Sequence, residues 1–481
     1  MLAPARVALL WALALAAGCV DPTPEWERVE DTTRSRVAGA DLVWEQTEED
    51  ARLIEAQVAG LLQGGLSREE AVQVALLDNR RLQAIFEEVG VAKARLVQAQ
   101  LPTNPTADGI FRFPVGGGRT AVESGILFWV SDLWVVPLRG LMQQYDAAAT
   151  LRQVEGAIVA TAVRAAIAHD AVLYRQLDLA LQRDVLGVHE AAAQRLQVRF
   201  ASGQANDQDV YEAEARVGEQ RVRVARAERD LVQARARLAA LLNLDTARAA
   251  VELTGSLDSS EPRRWTPEEA WAYAVEHRLD VAQARAAIEQ ADWAVDLERA
   301  RIFDQVRAGG DHEGRLGGDQ EAGPALSLEL PLFDQNQAQI ARAEFQLRQA
   351  TKRLQAIGVE VRRQVSELLA EIEYRRTHLA VFQGGIEAPL VRAAEYAQRF
   401  GDLMRLEYLH LYEVQDHLLH ARREYLRSVF GLRRAHTLLQ GVLLGSGRTA
   451  PTPMGFPELE GAFHLDPEAH TGRGMRAEDE D

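Results

Sequence analysis

The chain has 481 residues and a hydrophobic fraction of 47%, enough for a sizeable core. Aromatics are only 6%, and Ala, Leu, Val, Arg, Gln and Glu dominate, which favours long helices over a β-rich globule. A formal net charge of −17 and a pI near 5.2 lack the basic footprint that phosphate binding needs, which argues against nucleic acid as the main partner.

The first residues read as a bacterial lipoprotein signal, 1–18. Arg6 is a sparse positive region, 7–17 is a short apolar core, and Leu15-Ala16-Ala17-Gly18-Cys19 resembles a lipobox whose thiol takes the lipid. Cys19 is the only cysteine, so it has no disulfide partner within the chain, which favours lipidation. No run of 18 or more apolar residues follows, so no transmembrane helix is predicted; barrel strands of about ten alternating residues leave a much fainter trace. Segment 19–66 reads as polar and irregular, with Trp26 and Trp44 as docking points.

From Ser67 the pattern becomes helical. Ser67-Arg68-Glu69-Glu70 is a capping box, in which hydroxyl and carboxylate satisfy free backbone N–H groups reciprocally. The thirty residues from Ser67 align without a gap on those from Thr266, where Pro267 takes the first helical position and Glu268-Glu269-Ala270 matches Glu69-Glu70-Ala71. A second match, at nearly the same shift, sets Arg199-Phe200 and Tyr211-Glu212 against Arg399-Phe400 and Tyr412-Glu413. Two matches of this kind indicate an internal duplication. Repeat 1 spans 67–243 and repeat 2 spans 266–444. Each reads helix, strand hairpin, two long helices, with a linker at 244–265 and a Pro/Gly-rich acidic tail at 445–481, expected to be disordered.

Strands are predicted at 109–115, 126–136, 305–315 and 325–332. The last is the clearest, with Leu326, Leu328, Leu330 and Leu332 alternating against Ser327 and Glu329. The third, QVRAGGDHEGR, is polar and glycine-rich, against strand propensity. Strand-to-helix junctions are predicted at Pro137 and at Pro331, Phe333 and Asp334. Phe128, Trp129 and Trp134 are candidates for an interfacial aromatic belt, or for core packing. The helix from about 138 to 199 would be roughly 90 Å long, too long for a single globular core, and has to lie in a coiled-coil-like layer.

The duplicated plan, the Pro331-Leu332-Phe333-Asp334 run before a helix and the turn from Arg199 through Gly203 to Ala213 resemble the TolC-type outer-membrane efflux family over about 67–444. The run from Pro331 to Gln337 is similar to its branch serving heavy-metal resistance pumps of the resistance–nodulation–division class. The resemblance implies a mainly α fold with a β part. Four strands per chain would enter a shared transmembrane β-barrel of a trimer, and the long helices would form an α-barrel across the periplasm, with 244–265 as an equatorial linker. Implied partners are two further copies of the chain, a periplasmic adaptor protein, an inner-membrane resistance–nodulation–division or ABC pump, and outer-membrane lipid. Arg199, Phe200, Gly203, Arg399, Phe400 and Gly401 fall on the tip that meets the adaptor, and Asp209, Glu212, His410 and Glu413 on positions that could gate it.

No catalytic constellation appears among the eleven histidines, and no glycine-rich phosphate loop, so no enzyme, cofactor or metal site is predicted. His410, His417 and His420 are the nearest to a cluster and read as a solvated helix face; Asp207, Asp209, Glu212 and Glu214 suit a helix N-terminus equally well. The expected function is the passive exit duct of a tripartite efflux pump for drugs or metal cations. The alternatives are a type I protein secretion duct and a periplasmic coiled-coil scaffold lipoprotein. Clean alternation at 326–332 argues against the scaffold.

Overall fold

The computed structural model describes residues 20–37, 39–116, 118–245, 252–257, 263–315, 317–402 and 408–445, with side chains 398–412 also outside the description. The described residues belong to one compact unit; Cys19 and the signal and tail expectations lie outside them.

Segment 20–66 is not irregular. It holds two helices, α1 (Thr23–Arg36) and α2 (Glu48–Leu61). Thr47 and Asp50 form a capping box for α2. The periodicity is faint in the sequence because each helix buries only a narrow stripe. In α1 this stripe is Glu25, Val29 and Thr33, two of them polar. Trp26 and Trp44 do dock: their ring centroids lie 5.4 Å apart, and Trp26 meets Phe86 edge-on at 4.8 Å.

The repeat follows. Helices α3 (Arg68–Asp78) and α4 (Arg80–Gln100) lead to strands β1 (Thr106–Arg112) and β2 (Ala121–Trp129), then to α5 (Asp132–Ala201) and α6 (Asp207–Leu241). The second half runs α7 (Pro267–His277), α8 (Leu279–Ala300), β3 (Val306–Arg315), β4 (Gln320–Leu328), α9 (Gln337–Val381), α10 (Glu387–Asp402) and α11 (Tyr408–Leu444). Ser67 with Glu70 and Thr266 with Glu269 close equivalent capping boxes.

At 70 residues α5 rises about 105 Å, and it is the spine of the body. Its alanines and valines let α3, α4, α6, α8 and α11 approach closely along its length. It is long and apolar enough to cross a membrane, but most of that apolar stretch is buried inside the protein. One cluster joins α5 to α2, α3 and α6 through Val58, Leu77, Val172 and Leu238. A second packs Trp44, Phe86, Val154 and Ile158 together. The second half has its own, around Val365, Ile372, Leu432 and Leu439.

Strand boundaries differ from expectation. The first strand lies at Thr106–Arg112, slightly earlier in the chain. The second begins at Ala121 and ends at Trp129, because Trp134 and Val135 are already helical. Pro137 therefore lies inside α5, not at a junction. It falls within the second turn, where the missing N–H costs one hydrogen bond. The fourth strand begins at Gln320 and ends at Leu328, before Pro331.

Phe86 is fully buried where α4 meets the N-terminal helices. Phe86→Ala is expected to cost about 3–5 kcal/mol, read as a lowered melting temperature by circular dichroism. An unchanged melting temperature would mean the cluster does not hold α1 and α2 to the body.

Candidate functional site

The four strands form one antiparallel sheet in the order β1-β2-β3-β4. Successive residues of a strand point to opposite faces and paired residues share a face, so the register sorts every side chain. One face carries Phe111, Val122, Ile126, Phe128, Ala308, Pro324, Leu326 and Leu328, with Ser124, His312 and Gln320 its polar members. The other carries Asp108, Arg112, Glu123, Arg307, Asp311, Glu313, Arg315 and Glu321. Every acidic residue and arginine of the polar third strand thus falls on one side, and the small residues Ala308, Gly310 and Gly314 on the other. Gly309 is required by contact: a Cβ there would run into the Ile126 carbonyl oxygen.

The apolar face is strongly exposed: Phe111 is 61% exposed, Phe128 57% and Leu326 73%. On the opposite face Glu123, Leu127, Trp129 and Ser327 are half-buried, while Asp311 and Glu313 are exposed. There Arg112 pairs with Glu123, and Arg307 lies over the Trp129 ring at 5.2 Å and donates to the Ser327 hydroxyl at 3.4 Å. Of the aromatic-belt candidates only Phe128 is on the apolar face. Trp129 is on the polar one, and Trp134 is in α5, where its indole N–H donates to the Ala300 carbonyl at 3.3 Å.

Beyond the sheet, Leu330, Leu332 and Phe333 are exposed in the connection to α9. Asp334 accepts from the Asn336 N–H at 2.9 Å, and Asn336, left-handed at φ 58°, donates to the Glu298 carbonyl at 2.7 Å. The Phe333–Asp334 junction is therefore tied back to α8.

Buried charges join the two halves of the body. Asp170 on α5 is 1% exposed and accepts from Arg68 of the first half at 3.2 Å and from Arg433 of the second at 2.9 Å. Two turns on, Asp178 accepts from Arg423 at 2.5 Å. Between them Tyr174 stacks on Phe430 at 4.9 Å. Arg278, also 1% exposed, is held by Asp280, by Gln364 at 3.2 Å and by the Val442 carbonyl at 2.9 Å. Elsewhere on α5, burial pushes the Glu155 carboxyl above the usual range, against the pull of Arg152 and Arg36. The sequence reading foresees none of these. The available signal is a pair of aspartates, Asp170 and Asp178, set within the apolar stripe of α5.

At the far end of α5 the first turn is described in full. Gly203 takes φ +74° after the helix ends at Ala201, closing it as a left-handed cap. Arg199 donates to the Gln204 carbonyl at 3.4 Å, and Phe200 is 46% exposed. Asn206 caps α6 by accepting from the Asp209 N–H at 2.8 Å, and Gln208 donates to Glu212 at 3.2 Å. In the second repeat Arg399, Phe400 and Gly401 lie in the last turn of α10, and His410 in the first turn of α11; their side chains lie outside the described residues. Glu413 lines a cavity of about 310 Å³ with His189, Arg216, Asp416, His417 and His420. Among the described residues no cluster is arranged to hold a metal ion.

The arrangement, a two-faced sheet at one end of a long helical body, is the fold of the outer-membrane channels. The chain matches CusC, whose crystal structures follow folding and transmembrane channel formation, with TM-score 0.67 and 16% identity over 79% of this chain and 92% of that one. It matches a membrane protein from Pseudomonas aeruginosa with TM-score 0.67 and 19% identity, over 86% and 96%. It matches the CmeC outer-membrane channel of Campylobacter jejuni with TM-score 0.65 and 13% identity, over 85% and 91%. No protein-family model and no curated protein matches the chain.

Removing the Asp170 carboxylate leaves two inward-turned arginines without their anion. Asp170→Ala is expected to destabilise by about 3–5 kcal/mol, whereas Arg34→Ala, which removes the exposed pair with Asp31, should cost less than about 1 kcal/mol. Equal losses on chemical denaturation would sink the assignment of Asp170 as the tie between the halves.

Proposed function

We propose that this chain is the outer-membrane exit duct of a tripartite efflux pump, passing small solutes such as drugs or metal cations passively to the outside. The sheet carries the reading. It exposes an apolar face and gathers its charges on the other, the two-faced arrangement that lipid around an aqueous lumen requires. Strands of nine or ten residues in β2, β3 and β4 suit a bilayer. Among the described residues the outer edges of β1 and β4 have no partner strand, and open edges are not tolerated in hydrocarbon. Four strands are too few to close, so we infer a homotrimer sharing twelve, three copies of four.

In this reading the long helices form the periplasmic conduit, and the lipid on Cys19 adds an anchor. The tip residues Arg199, Phe200, Gly203, Arg399, Phe400 and Gly401 meet a periplasmic adaptor, with Asp209, Glu212, His410 and Glu413 at the constriction. The adaptor favours the open arrangement by binding it better than the closed one. Energy comes from an inner-membrane pump of the resistance–nodulation–division or ABC class. Support for the outer-membrane duct comes from the fold shared with CusC and CmeC.

Two measurements test it. The purified protein should run as a trimer and give a small, steady conductance in planar bilayers, rising in Asp209→Ala or Glu413→Ala. A monomer or dimer without conductance would leave a scaffold in its place. On the sheet, Leu326→Arg should impair membrane assembly, with a cost of about 2–4 kcal/mol at mid-bilayer depth, while Gly323→Arg, on the opposite face and paired with Asp311, assembles normally. Equal assembly of both variants would overturn the assignment of faces.

A further inference from the structure

We propose that His189, Asp416 and His420 form a proton-dependent clasp between α5 and α11. His189 Nε2 lies 3.2 Å from Asp416 Oδ1, and its Nδ1 lies 3.4 Å from the Arg216 carbonyl oxygen of α6. A carbonyl oxygen and an ionised carboxylate only accept, so both ring nitrogens face acceptors. A neutral imidazole has one N–H and satisfies one of them; the imidazolium satisfies both. His420 Nδ1 stands 3.6 Å from the same Asp416 oxygen, so a second ring adds charge to the same anion when protonated.

The surrounding charges keep the anion available. The bond from His189, aided by His420 and Arg223, holds the Asp416 carboxyl below the ordinary aspartate range. Arg216 from α6 and Glu413 and His417 from α11 also line the cavity. The clasp is therefore strongest where histidine is charged and Asp416 is ionised. It weakens when either partner loses that charge, the imidazolium by giving up its proton or Asp416 by taking one up.

Position makes the clasp consequential. Towards the body α11 is held by Arg423 on Asp178, by Phe430 on Tyr174 and by Arg433 on Asp170, whose other oxygen lies 3.6 Å from His169 Nδ1, a histidine of α5 and not of α11. At that level the neighbouring helix changes character. Phe382–Ile386 is a single π-helical turn containing Gly384 and Gly385, and Phe382 is anchored by stacking on Tyr425 at 4.6 Å. A Cβ at either glycine would meet open space, so packing does not explain them; a soft point in the backbone does. His189 and Asp416 lie beyond that point, where α10 and α11 continue to the tip. The inference rests on helix geometry and is independent of the duct reading.

Hydrogen exchange of the intact protein at pH 5.5 and 8.0 tests it. After correction for intrinsic exchange, amides of 413–420 should lose about tenfold in protection at the higher pH, the equivalent of one charge-assisted hydrogen bond. His189→Gln should abolish that pH response, and an unchanged melting temperature would show it folded. Asp416→Asn, which keeps the shape but removes the charge, should abolish it too. A wild-type segment with equal protection at both pH values overturns the clasp. So does a response that survives in either folded variant.

Discussion

The structure depends on what a 70-residue helix can bury. α5 is too long for one core and meets different neighbours along its length, so its apolar stripe is made of small residues that admit α4, α8, α6 and α11 in turn. Small side chains pack closely but specify register poorly. The buried aspartates supply what the alanines lack. Asp170 accepts arginines from opposite halves of the chain, and a shift of α11 by one turn along α5 would strand a charge in the interior. The duplicated halves are thereby locked at one height.

The same height governs the sheet. Hairpins β1–β2 and β3–β4 leave the body from equivalent points of the two repeats and pair through β2 and β3. A slip of one residue in that pairing would exchange the faces of one hairpin and set Glu123 and Arg112 among apolar side chains. Ser131 fixes the base of the sheet: its hydroxyl donates to the Asp304 carbonyl at 2.6 Å, joining the start of α5 to the entry of β3.

Much of this is legible in the residues. The capping boxes at Ser67 and Thr266 rest on local rules and place helices α3 and α7, whereas the alternation after Ala325 finds only the end of the last strand, which stops at Leu328. The polar third strand is harder, because its charges make sense only once the register puts them all on one face. Trp134 and Pro137 read as strand and junction because aromatic and β-branched residues favour strands, but packing on α8 and α4 overrides that preference. Asp170 and His189 are invisible for another reason. Their partners, Arg433 and Asp416, are more than two hundred residues away, and no local pattern links them.

That division explains how the fold is shared at 13% to 19% identity. Helical periodicity, small residues at close crossings and a two-faced sheet can be written in many sequences, since each needs a class of residue and not a particular one. The fold therefore says little about what passes along it. Side chains that need a specific partner are the ones to separate this chain from others of its shape. In the body these are arginines on buried carboxylates, and they hold the helices in place. Near the tip the pair is a histidine and an aspartate facing a cavity, and there the chemistry, unlike the packing, responds to the surrounding solution.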